Sequence, residues 1–121
     1  MSPQVETRLF DQLERFLDLT VSDTKLTASN MANIDTPGYR TLGMDFGTEM
    51  RDAMARMDAG ATAQPAHLRA VDGLIARPDG NNVSMDREGL QLAEEQLKFK
   101  TGVALMRLES QRVLDAIHAD K

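Results

Sequence analysis

A chain of 121 residues with net charge −5, its 14 basic residues scattered among 19 acidic ones, is one small domain or one extended subunit and offers no basic face for nucleic acid. Aromatics make up 4% with no Trp, so Leu, Met, Val and Ala carry the apolar packing, which suits helix on helix and makes the expected fold class mainly α. Zero cysteines exclude disulfides and thiolate metal sites, no apolar run approaches the ~20 residues of a membrane span, and the first residues lack the basic-then-apolar order of a cleaved secretory signal.

From residue 5 to residue 31, Phe10, Leu13, Leu17, Val21, Thr24, Ala28 and Met31 recur at steps of three and four, which predicts a long helix with one buried face. Leu9, Phe16 and Leu26 widen that stripe, and Asp11 and Arg15 stand one turn apart on the exposed side as a supporting pair. Thr20-Val21-Ser22-Asp23-Thr24 is rich in β-branched and short polar residues, which weakens the middle of the helix and leaves a kink or break there open.

The helix should end near Asn33, a residue that tolerates the left-handed conformation of a helix terminus, because Pro37 forces Thr36 into an extended conformation. Pro37-Gly38 fits the central pair of a type II turn, with glycine supplying the positive φ, and Tyr39 follows as an anchor.

Beyond the turn, Leu42, Met44 and Phe46 alternate with other residue types as in a short extended piece, and Met50, Ala53, Met54 and Met57 predict a short amphipathic helix. Residues 58–82 are small, polar and punctuated by Gly60, Pro65, Gly73, Pro78 and Gly80, which predicts loops with at most a short strand around Leu74-Ile75.

Ser84 can cap the next helix, with Asp86 and Glu88 in its first turn. Met85, Gly89, Leu92, Gln96, Phe99, Val103, Met106, Ser110, Val113 and Ile117 then recur in a four-three alternation, a heptad seam. A second row of Leu90, Ala93, Leu97, Ala104 and Leu108 lies beside it, so this helix needs more than one packing partner. Continuous to His118 it would be about 50 Å long, and Gly89 and Gly102 are either points of close helix approach or tolerated weaknesses.

The two long helices, in residues 1–34 and 84–121, are expected to pack as an antiparallel, coiled-coil-like pair forming one discontinuous unit, with 35–83 as a turn and loop region. No catalytic, metal or cofactor site assembles from the residues: His67 lies in a loop, His118 near a helix end, and neither has a second His at ligand spacing. Asp86, Glu88, Glu94 and Glu95 are expected to wind around a solvated helix face, and Asp79-Gly80-Asn81-Asn82 is a turn without the ligand spacing of a calcium loop. The residues alone leave a cytosolic helical-hairpin adaptor or chaperone as an alternative to an assembly subunit.

Ser29-Asn30-Met31-Ala32-Asn33 followed by Thr36-Pro37-Gly38-Tyr39 resembles the N-terminal signature of the flagellar rod, hook and hook-associated proteins. The run 80–88, beginning Gly80-Asn81-Asn82-Val83, with 92–99 and Met44-Asp45-Phe46, resembles the corresponding segments of the proximal-rod members of that family. The resemblance implies a structural subunit of the flagellar basal body, not an enzyme, exported through the flagellar type III apparatus to a periplasmic rod. It implies copies of itself, other rod proteins, the rod-to-ring adaptor, the inner-membrane ring and the export gate as partners, with no small-molecule substrate and no membrane insertion. Assembly would run through Phe10, Leu13, Leu17, Met31, Leu92, Leu97, Phe99, Val103, Met106, Leu108 and Val113. Phe46 and Met50 have a spacing similar to the short gate-recognition motif of early flagellar export substrates.

Overall fold

A computed structural model describes residues 3–119, so the chain ends of the two terminal segments, 1–2 and 120–121, lie outside the described residues. Its elements run α1 (Pro3–Ala32), β1 (Leu42–Gly43), α2 (Phe46–Asp58), β2 (Arg69–Ala70) and α3 (Met85–Ala119). The fold is mainly helical, with α3 packed along α1 and α2 against α1.

α1 passes through Thr20 and Thr24 without a break. Each threonine keeps its hydroxyl inside the helix: Thr20 Oγ1 donates to the Phe16 carbonyl at 2.8 Å and Thr24 Oγ1 to the Thr20 carbonyl at 2.9 Å, so neither competes for another backbone conformation. The Asp11 and Arg15 pairing is also replaced, because the Arg15 guanidinium reaches across to the carbonyl of Gln64. Phe10, Leu13 and Leu17 are half-buried as the stripe requires. Further along the buried line shifts to Leu19, Thr20, Asp23, Thr27 and Asn30, leaving Val21 and Ala28 exposed. The face is set by what α3 presents to it, and α3 presents polar groups.

Along α3 the fully buried positions are Glu88, Glu95, Gly102 and Glu109, a heptad lying one residue before the expected Gly89, Gln96, Val103 and Ser110. Leu92, Val103, Met106 and Val113 remain half-buried beside it, whereas Met85, Phe99 and Ile117 of the expected seam are exposed. Three contact levels register the helices: Asn30 with Glu88, Thr27 with Glu95, and Phe16 and Leu17 with Gly102.

Phe46 begins a helix rather than ending a strand, because Asp45 caps α2 by accepting from the Thr48 N–H at 3.0 Å. Its ring meets Phe16 of α1 edge to face, centroids 5.3 Å apart. No strand forms at Leu74-Ile75, and Ile75 is exposed. The partner of β1 is β2, paired antiparallel with Leu42 opposite Ala70 and Gly43 opposite Arg69, and the Val71 N–H donates to the Thr41 carbonyl at 3.1 Å to close the ribbon.

Candidate assembly site

Two turns from distant parts of the sequence lock together where α1 ends and α3 begins. On the first, Tyr39 N–H donates to the Thr36 carbonyl at 3.2 Å and Gly38 holds φ 75°, as position three of a type II turn requires. Asn33 has no left-handed conformation, since the positive-φ residues described are all glycines. It ends the helix with its side chain instead, donating from Nδ2 to the Ser29 carbonyl at 2.8 Å and accepting at Oδ1 from the Thr36 hydroxyl at 2.9 Å.

The second turn ends on Gly80, φ 86°, with its N–H donating to the Arg77 carbonyl at 2.8 Å. Asn81, fully buried, donates from Nδ2 to the carbonyls of Asn33 and Thr36, both at 2.8 Å, and accepts at Oδ1 from the Val83 N–H at 2.8 Å. The Gly38 N–H donates to the Asp79 carbonyl at 2.8 Å, and Asn82 Oδ1 accepts from the Thr41 N–H at 2.6 Å. Arg77 completes the clamp by donating to the carbonyls of Ile34 and Val83. The turn spans 77–80, so the expected stretch 79–82 holds its second half and the two asparagines that follow it, which supply bonds that the irregular backbone of both segments would otherwise lack.

Asn30 does the same for the start of β1. Its Oδ1 accepts from the Tyr39 hydroxyl at 2.8 Å and the Leu42 N–H at 3.2 Å, while Nδ2 donates to the Leu42 carbonyl at 2.8 Å. Tyr39 is half-buried against the end of α1. Ser29 serves through its carbonyl, and Ala32, Thr36, Pro37 and Gly38 lie on the outside of the junction. Met31 is half-buried on α1.

The acidic residues do not stay on a solvated face. Glu88 and Glu95 point into the seam against Asp23 of α1, while Asp86 and Glu94 remain exposed. Thr27 Oγ1 donates to Glu95 Oε2 at 2.7 Å, and Arg87 Nη1 to Glu88 Oε1 at 2.6 Å. Burial, followed by the carboxylates of Asp23 and Glu88, pushes the Glu95 carboxyl up to about 7 against the lowering effect of the Thr27 hydroxyl. Burial also raises Asp23. The sequence did carry a signal for this seam, the seven-residue spacing of 88, 95, 102 and 109, but its members are three glutamates and a glycine and no apolar pattern picks them out.

On the side of α3 turned away from α1, Leu90, Leu97 and Leu108 are 60%, 67% and 58% exposed, with Ala93 and Ala104 between them. Three leucines a turn or more apart on one helix face form a surface that a second helix could cover. Between α1 and α3 runs a groove of about 310 Å³ lined by Val21, Thr24, Phe99 and the flanking Lys25 and Lys100. His67 is docked on Glu49, whose Oε1 accepts its N–H at 3.0 Å, and His118 is exposed. Among the described residues no group of three or more His, Asp or Glu is placed to hold a metal.

The chain is 34% identical over 108 residues to the flagellar basal body rod protein FlgB of Salmonella typhimurium, covering 74% of this chain and 78% of that protein. It belongs to the FlgB family. The FlgB protein of Yersinia enterocolitica is 30% identical over 108 residues, 74% of this chain and 79% of its own length. That of Cereibacter sphaeroides is 31% identical over 114 residues, 86% of this chain and 89% of its own. No model of a protein family matches the chain. FlgB proteins are rod components of the flagellar basal body, so the junction and the bare face of α3 belong to a structural protein of that assembly. No described helix is long and apolar enough to cross a membrane.

Proposed function

We propose that this protein is a subunit of the proximal rod, exported by the flagellar type III apparatus and built into a helical tube through its two long helices. The observation that carries the reading is the outward row of Leu90, Leu97 and Leu108, apolar surface on a helix whose opposite side is already occupied by α1. Contacts that pair rising positions on α1 with falling positions on α3 support an antiparallel pair, in which residues 1–34 and 84–121 would act as one rod-core unit. Phe10, Leu13, Leu17, Leu92, Val103, Met106 and Val113 hold that pair, while Leu97, Leu108 and Phe99 face neighbours.

A bare face on one side of a helix and a groove on another make a heterologous contact, which extends into a filament when it does not close. Copies of this chain and other rod proteins are the neighbours proposed, with the rod-to-ring adaptor, the inner-membrane ring and the export gate at the base, and the rod lies in the periplasm. Phe46 and Met50 serve export before folding, and Phe46 then packs on Phe16. Cells deleted for this chain should be non-motile and yield basal bodies without a rod, and a density map of complemented basal bodies should contain α1 and α3 at the rod base. A motile deletion strain would sink the proposal.

A further inference from the structure

We propose that Asp23 and Glu95, packed beside the buried Glu88, form a proton-held latch between α1 and α3, closing the helix pair when they share a proton and loosening it when that proton is lost. The inference concerns the helix pair itself and does not depend on the rod assignment. Its geometric basis is a set of acids buried where a helix interface ordinarily holds leucines: Glu88 is 0%, Glu95 2% and Asp23 9% exposed.

The cations around the cluster leave one charge unmatched. On α3, Arg87 donates to Glu88, which also faces the Asn30 amide of α1 at 3.4 Å. Lys98 sits 4.1 Å from the centre of the Phe46 ring at the start of α2 and reaches Asp23 and Glu95 only through space. Lys25 of α1 and Lys100 of α3 line the same groove as Glu95. Glu95 has one oxygen on the Thr27 hydroxyl, and its other oxygen, Oε1, is buried with no hydrogen-bond partner. An ionised carboxylate there is desolvated, with only the Thr27 hydroxyl and the distant Lys98 to offset the cost. A proton removes the charge and lets Glu95 and Asp23 bond to each other, a contact within their reach.

The sign follows from the folded and unfolded chains. Glu95 ordinarily titrates at 4.5 and is pushed up to about 7 when buried, so its contribution is complete below 4.5 and is lost as pH rises through about 7. Asp23, also raised, acts in the same direction. If the chain crosses a membrane unfolded, the closed pair is favoured on the more acidic side.

The test is the helical circular dichroism of the isolated chain from about pH 5.5 to 8.5, in the wild type, Glu95→Gln, Glu95→Leu and the exposed neighbour Glu94→Gln. The wild-type signal should fall by about half or more with a midpoint near neutrality, and Glu94→Gln should follow it. Glu95→Gln and Glu95→Leu should keep their acid-side signal at the alkaline end. A flat wild-type profile, or Glu95 variants that fall in parallel with it, would overturn the latch. Two Glu95 variants without helix at every pH would overturn it as well, by showing that the carboxyl is needed for packing and not for its proton.

Discussion

Gly102 of α3 faces Leu17 of α1 so closely that a Cβ on the glycine would stand 2.6 Å from Leu17 Cδ2 and 3.1 Å from the nearest Phe16 ring carbon. Gly89, thirteen residues earlier on the same helix, has nothing within 4 Å of the same added atom. The first glycine is a point of close approach and the second is a tolerated weakness, and the two should answer substitution with opposite signs. Gly89→Ala should raise helix stability by up to ~1 kcal/mol, the intrinsic difference between the two residues. Gly102→Leu should lose ~1–3 kcal/mol through overpacking, outweighing any propensity gain. Helical circular dichroism of the two variants at one pH checks both, and a stabilised Gly102→Leu chain would show that the helices do not meet there.

The turn at Gly38 is demanding for a different reason. Nothing lies within 4 Å of a Cβ built on it, so the constraint is φ 75° alone. An ordinary residue costs ~1–2 kcal/mol in this left-handed region, and a β-branched one is a genuine outlier. Gly38→Val should therefore be exported yet fail to form stable rods, while Gly38→Asn, whose side chain tolerates that conformation, should swim. Soft-agar motility separates them, and a motile Gly38→Val strain would remove the turn type argued here.

Asn81 ties the two turns by two side-chain bonds and braces its own segment by a third, and the Ala and Asp variants test different parts of this arrangement. Asn81→Ala strips the Val83 N–H of its side-chain acceptor and the Asn33 and Thr36 carbonyls of one donor each, with ~1–3 kcal/mol expected for each buried group left unmatched. Asn81→Asp keeps an acceptor for Val83 but turns a carboxylate oxygen toward two carbonyls, which is worse. Co-expressed with the unmodified chain, both variants should be under-represented in purified basal bodies, Asp more than Ala. Equal incorporation would mean that the clamp is dispensable for assembly.

The sequence reported some of these features and concealed others for identifiable reasons. The end of α1, the Gly38 turn and the Ser84 start of α3 depend on local backbone chemistry, which a few adjacent residues settle. Ser84 does accept from the Arg87 N–H at 3.3 Å. The helix seam depends on which face meets a partner, and apolar periodicity placed it one residue away, because α3 turns Glu88, Glu95 and Glu109 inward and leaves Leu90 and Leu97 outside. A pattern reader counts leucines as core. In this chain the outer leucines were legible as a second row, but nothing local could say that acids would hold the inner one.

Asp45 supplies a pH dependence opposite in sign to that of Glu95. It caps α2, and the Thr48 N–H bond holds its carboxyl below the ordinary 3.8. The cap is therefore fully present above 3.8 and is lost as pH falls through the lowered value. Asp45→Asn keeps a side-chain oxygen for Thr48 but cannot titrate. In a peptide of residues 42–60, the acid loss of helix seen with the native aspartate should be absent from the Asp45→Asn variant, read by circular dichroism between about pH 5 and 2. Identical acid profiles would mean that the cap does not govern α2.

The helix pair on its own should be marginal and complete its folding on assembly. The buried apolar side chains among the described residues are Leu19, Ala53 and Val83, while the apolar residues of the α1–α3 seam are only half-buried and its deepest positions include Thr20, Asp23, Thr27, Asn30, Glu88 and Glu95. Polar closure of that kind returns little net stability, since each hydrogen bond replaces one to water. Leu90, Leu97 and Leu108 meanwhile remain in solvent, so their burial can contribute only when a neighbour covers them. Leu97→Asp isolates that contribution. The side chain is 67% exposed, so the substitution should change the stability of the isolated chain by no more than ~0.5 kcal/mol. In the rod it would bury an unpaired charge and should block incorporation. The isolated wild-type chain, at dilute concentration and about pH 8.5, above the range in which Glu95 holds its proton, should show weak helix with no cooperative melt. A strong, sharply melting helix would sink folding on assembly and favour a self-sufficient helical hairpin of the adaptor kind, and normal incorporation of Leu97→Asp would show that the outer row is not the surface the rod uses.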